Sequence, residues 1–158
     1  MSEDRPTDDR SSANGATPMP PPDPLTGLGP SAMAGIRVLD FTRAQQGPFA
    51  TLLLADMGAE VLKVEAPGGE MGRANGLTPD GFSSFFEGHN RGKRSITLDL
   101  DMPEALDVVR RLVPTVDVVV ENFRPGRMER WGLGYDDLKQ LRPDIILASA
   151  SAWGRSGP

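Results

Sequence analysis

Hydrophobic and polar positions follow two periods along the chain from Gly35 onward. Short runs of branched apolar residues predict β-strands, and apolar residues at intervals of three and four predict helices. The predicted strands cover residues 36–41, 60–65, 94–100, 116–122 and 144–151. The fourth run, "VDVVVEN", is nearly all apolar, which is typical of a strand covered on both faces. Strands that alternate with helices predict an α/β fold, a Rossmann-like parallel sheet with helices on both faces.

The predicted helices lie between these strands. They cover residues 48–58, 82–90, 102–115 and 135–142. Pro48 suits the first turn of the first helix, and Gly58 suits its C-terminal end. Residues 66–81 are rich in glycine and proline and are therefore predicted to form a loop.

The two ends of the chain differ from its middle. Residues 1–30 hold seven of the fifteen prolines and few large apolar side chains, so we expect a disordered tail rather than a polyproline ligand. The other end, "WGRSGP", follows the last predicted strand directly, at the edge of a sheet where ligands usually bind. We therefore expect a sheet that is incomplete at its C-terminal side, and a chain that is a fragment or one domain of a longer protein.

Composition narrows the classes of function. The chain has 158 residues, 38% of them hydrophobic and 25% charged, which fits one globular domain. It contains no cysteine, which excludes disulfides, thiolate catalysis and zinc–thiolate sites. The N-terminus lacks a secretory signal, and no apolar run is long enough for a membrane span, so a cytoplasmic location with no membrane partner is expected. A net charge of −5 argues against a nucleic-acid partner.

Polar side chains are predicted at the carboxyl ends of the strands. The first strand-to-helix turn, "TRAQQGP", has one glycine, whereas a dinucleotide fingerprint needs three. Gln45 and Gln46 lie in this turn beside a helix N-terminus, which favours an anionic or carbonyl group, although both could equally be plain turn residues. Asn122 and Ser151 end the fourth and fifth predicted strands, and Arg124 follows the fourth.

Several charged residues have simpler interpretations. The cations of residues 90–94 are more typical of a solvated face than of a phosphate site, and Arg127 and Arg130 could be rim charges. His89 has no Ser or Cys arrangement that would suggest a triad. No metal-ligand spacing or Walker motif is present. The residues by themselves predict an α/β domain with an anion-accepting crevice, and they do not predict a reaction.

Three segments, residues 35–69, 90–100 and 120–143, together resemble the N-terminal part of the family III CoA-transferases. This family includes formyl-CoA:oxalate CoA-transferase, carnitine CoA-transferases and the related α-methylacyl-CoA racemases. The resemblance implies that residues 31–158 are the N-terminal part of a Rossmann-like large domain, to which the full-length protein adds a smaller domain. It further implies an interlocked homodimer. The resemblance also implies that coenzyme A is part of an acyl-CoA substrate rather than a permanently bound cofactor, and that a carboxylic acid is the acceptor.

The resemblance also implies a reaction. An aspartate attacks the acyl-CoA thioester to give a mixed anhydride and free CoA thiolate. The acceptor acid then accepts the acyl or CoA group by further exchange. The matching aspartate is expected beyond Pro158, so this chain alone is expected to be inactive. One alternative is a racemase, which exchanges the proton alpha to the thioester by acid and base catalysis. An alternative of another class is a non-catalytic CoA-binding module.

Site residues follow from the same resemblance. Gln45 matches a glutamine that contacts the acyl or anhydride region. The positions expected to bind CoA are Gln46, Ala66, Leu98, Asp99, Leu100, Asp101, Asn122, Phe123, Arg124, Arg130, Ser151, Ala152, Trp153 and Gly154. Residues 98–101 are expected at the adenosine end, residues 122–124 along the pantetheine arm, and Arg130 at the phosphates. Ala66 stands where some family members have an arginine. No metal site is expected.

Overall fold

The computed structural model describes residues 31–154, and the predicted proline-rich tail lies outside them. Five parallel strands form one sheet in the order β3-β2-β1-β4-β5. Their bounds are β1 Arg37–Asp40, β2 Glu60–Glu65, β3 Arg94–Thr97, β4 Val118–Glu121 and β5 Ile146–Ser149. All five strands were predicted from the sequence, β2 with the observed bounds. The structure confirms the predicted α/β class and the parallel sheet.

Five helices connect the strands in the described residues: α1 Gln46–Asp56, α2 Ser84–Asn90, α3 Pro103–Leu112, α4 Arg127–Arg130 and α5 Tyr135–Leu141. Short 3₁₀ helices cover Met71–Ala74 and Val113–Thr115. The first of these lies in the segment predicted to be a loop, and α4 was not predicted. Both have only four residues, too few to show a helical period in the sequence. None of the helices in residues 31–154 is long and apolar enough to cross a membrane.

The core lies on both faces of the sheet, because successive residues of a strand point to opposite sides. On one face Leu39 and Val119 pack with Val109 of α3 and Leu138 of α5. On the other face Val38, Val61 and Val120 pack against α1. The first three residues of β4 and the two central residues of β1, Val38 and Leu39, are therefore apolar, as expected for strands buried on both faces. The prediction of helices on both faces is confirmed.

The strand order reverses between β1 and β4, which is where ligands bind in open sheets of this kind. The chain runs from β1 outward through β2 to β3 and then returns to β4 on the other side of β1. The segments after β1 and β4 therefore diverge and leave a crevice at the carboxyl edge of the sheet. The polar residues predicted at the strand ends meet at this edge.

Candidate functional site

The turn after β1, residues 42–44, is held by side chains from several elements. Asn122, directly after β4, accepts from the backbone N–H of Arg43 through Oδ1 and donates to the Arg43 carbonyl through Nδ2, both at 2.8 Å. Glu70 Oε1 accepts from the backbone N–H of Ala44 at 2.8 Å. Lys63 Nζ donates to the Thr42 carbonyl at 2.7 Å. The turn thus has little freedom to change shape.

A buried polar cluster lies beneath this turn. Asp40 Oδ1 accepts from the backbone N–H of Thr42 at 2.8 Å, and Asp40 Oδ2 accepts from Thr51 Oγ1 at 2.6 Å and from Lys93 Nζ at 3.0 Å. Lys93 Nζ also donates to Asn90 Oδ1 at 2.8 Å. Burial lowers the pKa of Lys93, and the neighbouring Asp40 carboxylate opposes that shift. The prediction that residues 90–94 form a solvated face is wrong for Lys93, whose side chain is 2% exposed.

The loop after β2 is fixed by a second charged cluster. Arg73 donates to both carboxylate oxygens of Glu65, from Nε at 2.6 Å and from Nη2 at 2.7 Å, and its guanidinium stacks on Phe86. Ser95 Oγ donates to Glu65 Oε1 at 2.5 Å. Burial alone would raise the pKa of Glu65, but the bonds from Arg73, Ser95 and the Glu70 backbone N–H lower it to about 2. Glu65 therefore stays ionised, and the loop that carries Glu70 is held in place.

An apolar cavity of about 150 Å³ opens at the carboxyl ends of β1, β2 and β3. Phe41, Val64 and Leu98 form part of its wall, and acidic and basic side chains also line it. Among the predicted site residues it is lined by Ala66, Leu98, Asp99, Leu100, Asp101 and Phe123. A mostly apolar cavity with a few polar groups is typical of a site that holds a flat or hydrophobic part of a ligand.

A groove with four arginines lies beside this cavity. Its lining includes Arg43, Arg124, Arg127 and Arg130, together with the predicted residues Asn122 and Phe123. Within residues 31–154, the guanidiniums of Arg43, Arg124 and Arg130 have no carboxylate within 4 Å. Unpaired guanidiniums concentrated in one groove favour an anionic ligand with several oxygens, such as a phosphate chain.

The cavity and the groove share one wall. Arg43, Phe123, Arg127 and Trp131 line both. Arg127 Nη2 donates to Asp101 Oδ1 at 2.7 Å and Trp131 Nε1 donates to the same oxygen at 3.1 Å, while the Arg127 guanidinium lies over the Trp131 ring. Phe123 contacts Trp131 edge to face, with ring centroids 5.2 Å apart. The two spaces therefore form one continuous surface, apolar at one end and cationic at the other.

The remaining predicted residues lie at the same edge of the sheet. Gln45 precedes the first residue of α1, and its side chain makes no capping hydrogen bond. Gln46 is the first residue of α1, and both glutamines are exposed beside a helix N-terminus with no acidic residue in its first turn. Residues 151–154 follow β5, and Trp153 among them is 92% exposed. The cavity and groove described above do not include these six residues.

Sequence reasoning missed the shared wall of this surface. Arg43 and Trp131 were not predicted, and Arg127 was interpreted only as a possible rim charge. Arg43 could have been found, because it lies in the turn after β1, whereas Trp131 becomes a wall residue only through its contacts with Phe123 and Arg127. No group of three potential metal-ligating residues occurs in the described part of the chain.

Comparison with known proteins gives the family of this chain. The profile described as CoA-transferase family III matches residues 33–158. The chain therefore belongs to CoA-transferase family III. It is 49% identical over 127 residues to the probable fatty acyl-CoA transferase Rv3272 of Mycobacterium tuberculosis, covering 78% of this chain and 32% of that protein. It is also 41% identical to the succinyl-CoA:glutarate CoA-transferase of Homo sapiens, covering 80% and 29%.

Solved structures give the same result for the fold. A crystal structure of Rv3272 from M. tuberculosis superposes with a TM-score of 0.76 and 49% identity, covering 81% of this chain and 36% of that one. A CAIB/BAIF family protein from Brucella suis gives a TM-score of 0.75 at 38% identity, covering 81% and 35%. This family III chain spans about a third of the length of the curated relatives it matches.

Proposed function

We propose that the protein transfers coenzyme A between an acyl-CoA and a free carboxylic acid, and that the described residues bind the CoA carrier. The observation that carries the proposal is the continuous surface that joins the apolar cavity to the arginine groove. CoA has the matching chemistry, because a flat adenine and several phosphate oxygens lie at one end of the molecule. The adenine fits the cavity lined by Leu98 and Leu100, and the phosphates fit the groove lined by Arg124 and Arg130.

The chemical step needs an attacking carboxylate, and we propose that the acidic residues lining this surface do not serve, because Glu65, Glu70, Asp99 and Asp101 each accept hydrogen bonds within the fold. Asp40 is buried in its ion pair with Lys93, and Asp101 is bonded to Arg127 and Trp131. We propose that the attacking aspartate belongs to the part of the relatives that this chain does not span. Its carboxylate oxygen attacks the thioester carbon, the carbon–sulfur bond breaks, and CoA leaves as the thiolate. Residues 31–154 alone are then expected to bind CoA without transferring it.

A transferase is favoured over a racemase by the names of the relatives. Both relatives described above are named as transferases, and a third, from Haloarcula hispanica, is named succinyl-CoA:mesaconate CoA-transferase and is 45% identical over 128 residues. Those names describe the relatives' reactions, and we propose the same class of reaction here. The acyl donor and the acceptor acid of this protein are not part of the proposal.

We further propose that the full-length protein forms a homodimer. Helix α1 leaves Phe49, Leu53 and Met57 exposed at intervals of four residues, which places them on one stripe of its surface. An exposed apolar stripe on a folded domain favours coverage by further polypeptide. Light scattering on the full-length protein tests this part, and a monomer at micromolar concentration would contradict it.

The experiment for the main proposal uses the full-length protein with purified acyl-CoA and a panel of carboxylic acids. Mass spectrometry should detect a new acyl-CoA that contains the added acid. A parallel incubation in heavy water tests the racemase alternative, which would exchange the proton alpha to the thioester without any acceptor. Binding of CoA without either reaction would support the non-catalytic module, and no binding of CoA would overturn the whole proposal.

A further inference from the structure

The backbone of residues 42–44 is bonded by side chains at five positions. The N–H groups of residues 42, 43 and 44 and the carbonyls of residues 42 and 43 all have a side-chain partner. The partners are Asp40, Lys63, Glu70 and Asn122, which come from β1, β2, the loop after β2 and the end of β4. Buried backbone groups in turns are ordinarily bonded by other backbone, by side chains or by water. In this turn, three of the four side-chain partners, Lys63, Glu70 and Asn122, are distant in the sequence.

The conformation that these bonds hold is unfavourable for its residue. Ala44 has a φ of 67°, in the left-handed region that a residue with a Cβ atom rarely adopts. Such a conformation persists only where the surrounding structure enforces it, and it concentrates at functional sites. The bond from Glu70 to the Ala44 N–H supplies that enforcement directly.

The side chain of Glu70 is buried in an energetically unfavourable environment. The residue is 4% exposed, and its Oε1 accepts from both Ala44 and Gly72, whereas its buried Oε2 has no hydrogen-bond partner among the described atoms. Burying a carboxylate oxygen without a partner is unfavourable. Its Oε1 thus caps the 3₁₀ helix at Met71–Ala74 and holds the turn after β1 at the same time.

The clamped turn carries Arg43, a residue of the binding surface. Arg43 is held at its backbone N–H and carbonyl, and it lines both the cavity and the groove. Gln45 follows Ala44 directly at the N-terminus of α1. A change of φ at Ala44 would reorient the two residues relative to each other. The shape of the turn thus decides whether the guanidinium and the helix N-terminus face the same ligand.

We propose that Glu70 and Asn122 are positioning residues, which hold the turn in its left-handed conformation before coenzyme A binds. They act through Arg43 and Gln45, and in addition Glu70 lines the cavity and Asn122 lines the groove. The inference rests on the proposed function, since it assumes that coenzyme A occupies the surface. By fixing the turn in advance, the clamp removes an ordering cost that would otherwise weaken binding.

The test measures affinity for free coenzyme A by titration calorimetry on the full-length protein. Glu70→Ala frees Ala44 to leave the left-handed region, and affinity should fall about tenfold, the ratio that 1–2 kcal/mol of backbone preference implies. Glu70→Gln keeps an oxygen that accepts from Ala44, so its affinity should stay within about threefold of wild type. The comparison of the two variants separates loss of the bond from loss of the side-chain charge.

Rescue by glycine distinguishes positioning from a structural role. Glycine adopts positive φ readily, so adding Ala44→Gly to Glu70→Ala should recover most of the lost affinity. Ala44→Gly alone should bind as wild type. Loss of affinity that glycine does not rescue, or a Glu70→Ala variant that binds as wild type, would overturn the inference.

Variants of Asn122 give a second and independent test of the same inference. Asn122→Asp keeps an acceptor for the Arg43 N–H but places a carboxylate oxygen against the Arg43 carbonyl, so it should lose affinity as Asn122→Ala does. Equal affinity in wild type, Asn122→Asp and Asn122→Ala would also overturn the inference. Failure of the unmodified protein to bind coenzyme A would instead overturn the proposed function, and that result precedes any variant.

Discussion

Asp40 and Lys93 lie 53 positions apart in the chain, yet Lys93 Nζ lies 3.0 Å from Asp40 Oδ2 and both side chains are almost completely buried. The lysine also donates to Thr51 of α1 at 2.7 Å and to Asn90 of α2 at 2.8 Å. One ammonium group thus joins the end of β1 to two helices. Buried charges of this kind are tolerated only when paired, so each partner depends on the other.

Removing one partner of this pair should therefore destabilise the fold strongly. Lys93→Met leaves Asp40 as an uncompensated buried charge, which should lower the free energy of unfolding by about 3–5 kcal/mol. Urea denaturation of the full-length protein measures the change. The double variant Asp40→Asn with Lys93→Met should recover part of the loss, because the carboxylate that lost its partner is then also removed.

A surface ion pair provides the control. Arg91 lies two residues before Lys93 and pairs with Asp56, with side chains that are 58% and 41% exposed. Arg91→Met should change the free energy of unfolding by no more than about 0.5 kcal/mol. Equal effects of Arg91→Met and Lys93→Met would show that burial of the Lys93 pair is not what matters.

Two glycines should respond oppositely to the same substitution. A methyl group at Gly47 would lie 2.5 Å from Thr42 Cγ2, and Thr42 is bonded to Asp40 and cannot easily move away. Gly47→Ala should therefore cost about 1–3 kcal/mol of stability. At Gly88 of α2 nothing lies within 4 Å of an added methyl group, so Gly88→Ala should gain about 0.5–1 kcal/mol. Thermal unfolding of both variants checks the sign of each change in stability. A stabilising Gly47→Ala would contradict the close approach of Thr42 to Gly47.

Glu65 should make stability depend on pH in the acid range. Its pKa is lowered from 4.5 to about 2 in the folded protein. A lowered carboxylate pKa stabilises the fold above the unfolded value, and that contribution is lost as pH falls from about 4.5 toward 2. The loss amounts to at most about 3 kcal/mol. The free energy of unfolding, measured as pH falls across this range, should decrease less steeply for Glu65→Gln than for wild type.

Glu60 is the matched control for that experiment. It lies on the same strand, but its side chain is 58% exposed and pairs with the surface arginines Arg37 and Arg94. Glu60→Gln should leave the acid dependence close to that of wild type. An acid profile flattened by Glu60→Gln rather than by Glu65→Gln would reject the assignment.

The arginine groove should bind coenzyme A through charge. Arg124→Gln and Arg130→Gln each remove a guanidinium from the groove, and each should weaken CoA binding by about tenfold or more. The dependence of affinity on salt should also decrease, because fewer charges contribute. Arg111→Gln, on the exposed side of α3, should change neither quantity. Unchanged affinity in both groove variants would place the phosphates elsewhere.

Local patterns predicted most of the fold. The alternation of strands and helices was sufficient to predict all five strands, and the apolar run of β4 predicted its burial. The pattern also predicted that Asn122 and Arg124 would lie at the carboxyl edge of the sheet, because parallel strands end on one side. It predicted neither α4 nor the 3₁₀ helix at Met71–Ala74, which are too short to have a period.

The sequence by itself determined the class of fold and the family, and it predicted the edge of the sheet at which the candidate site lies. Only the tertiary structure decided that Lys93 is buried, that Asn122 clamps the backbone of Arg43, and that Trp131 forms a wall. The physical reason is that secondary structure follows from neighbouring residues, whereas the environment of a charge or an amide depends on what faces it across the fold. For Asp40 and Lys93 that partner lies 53 residues away, beyond the reach of any local pattern.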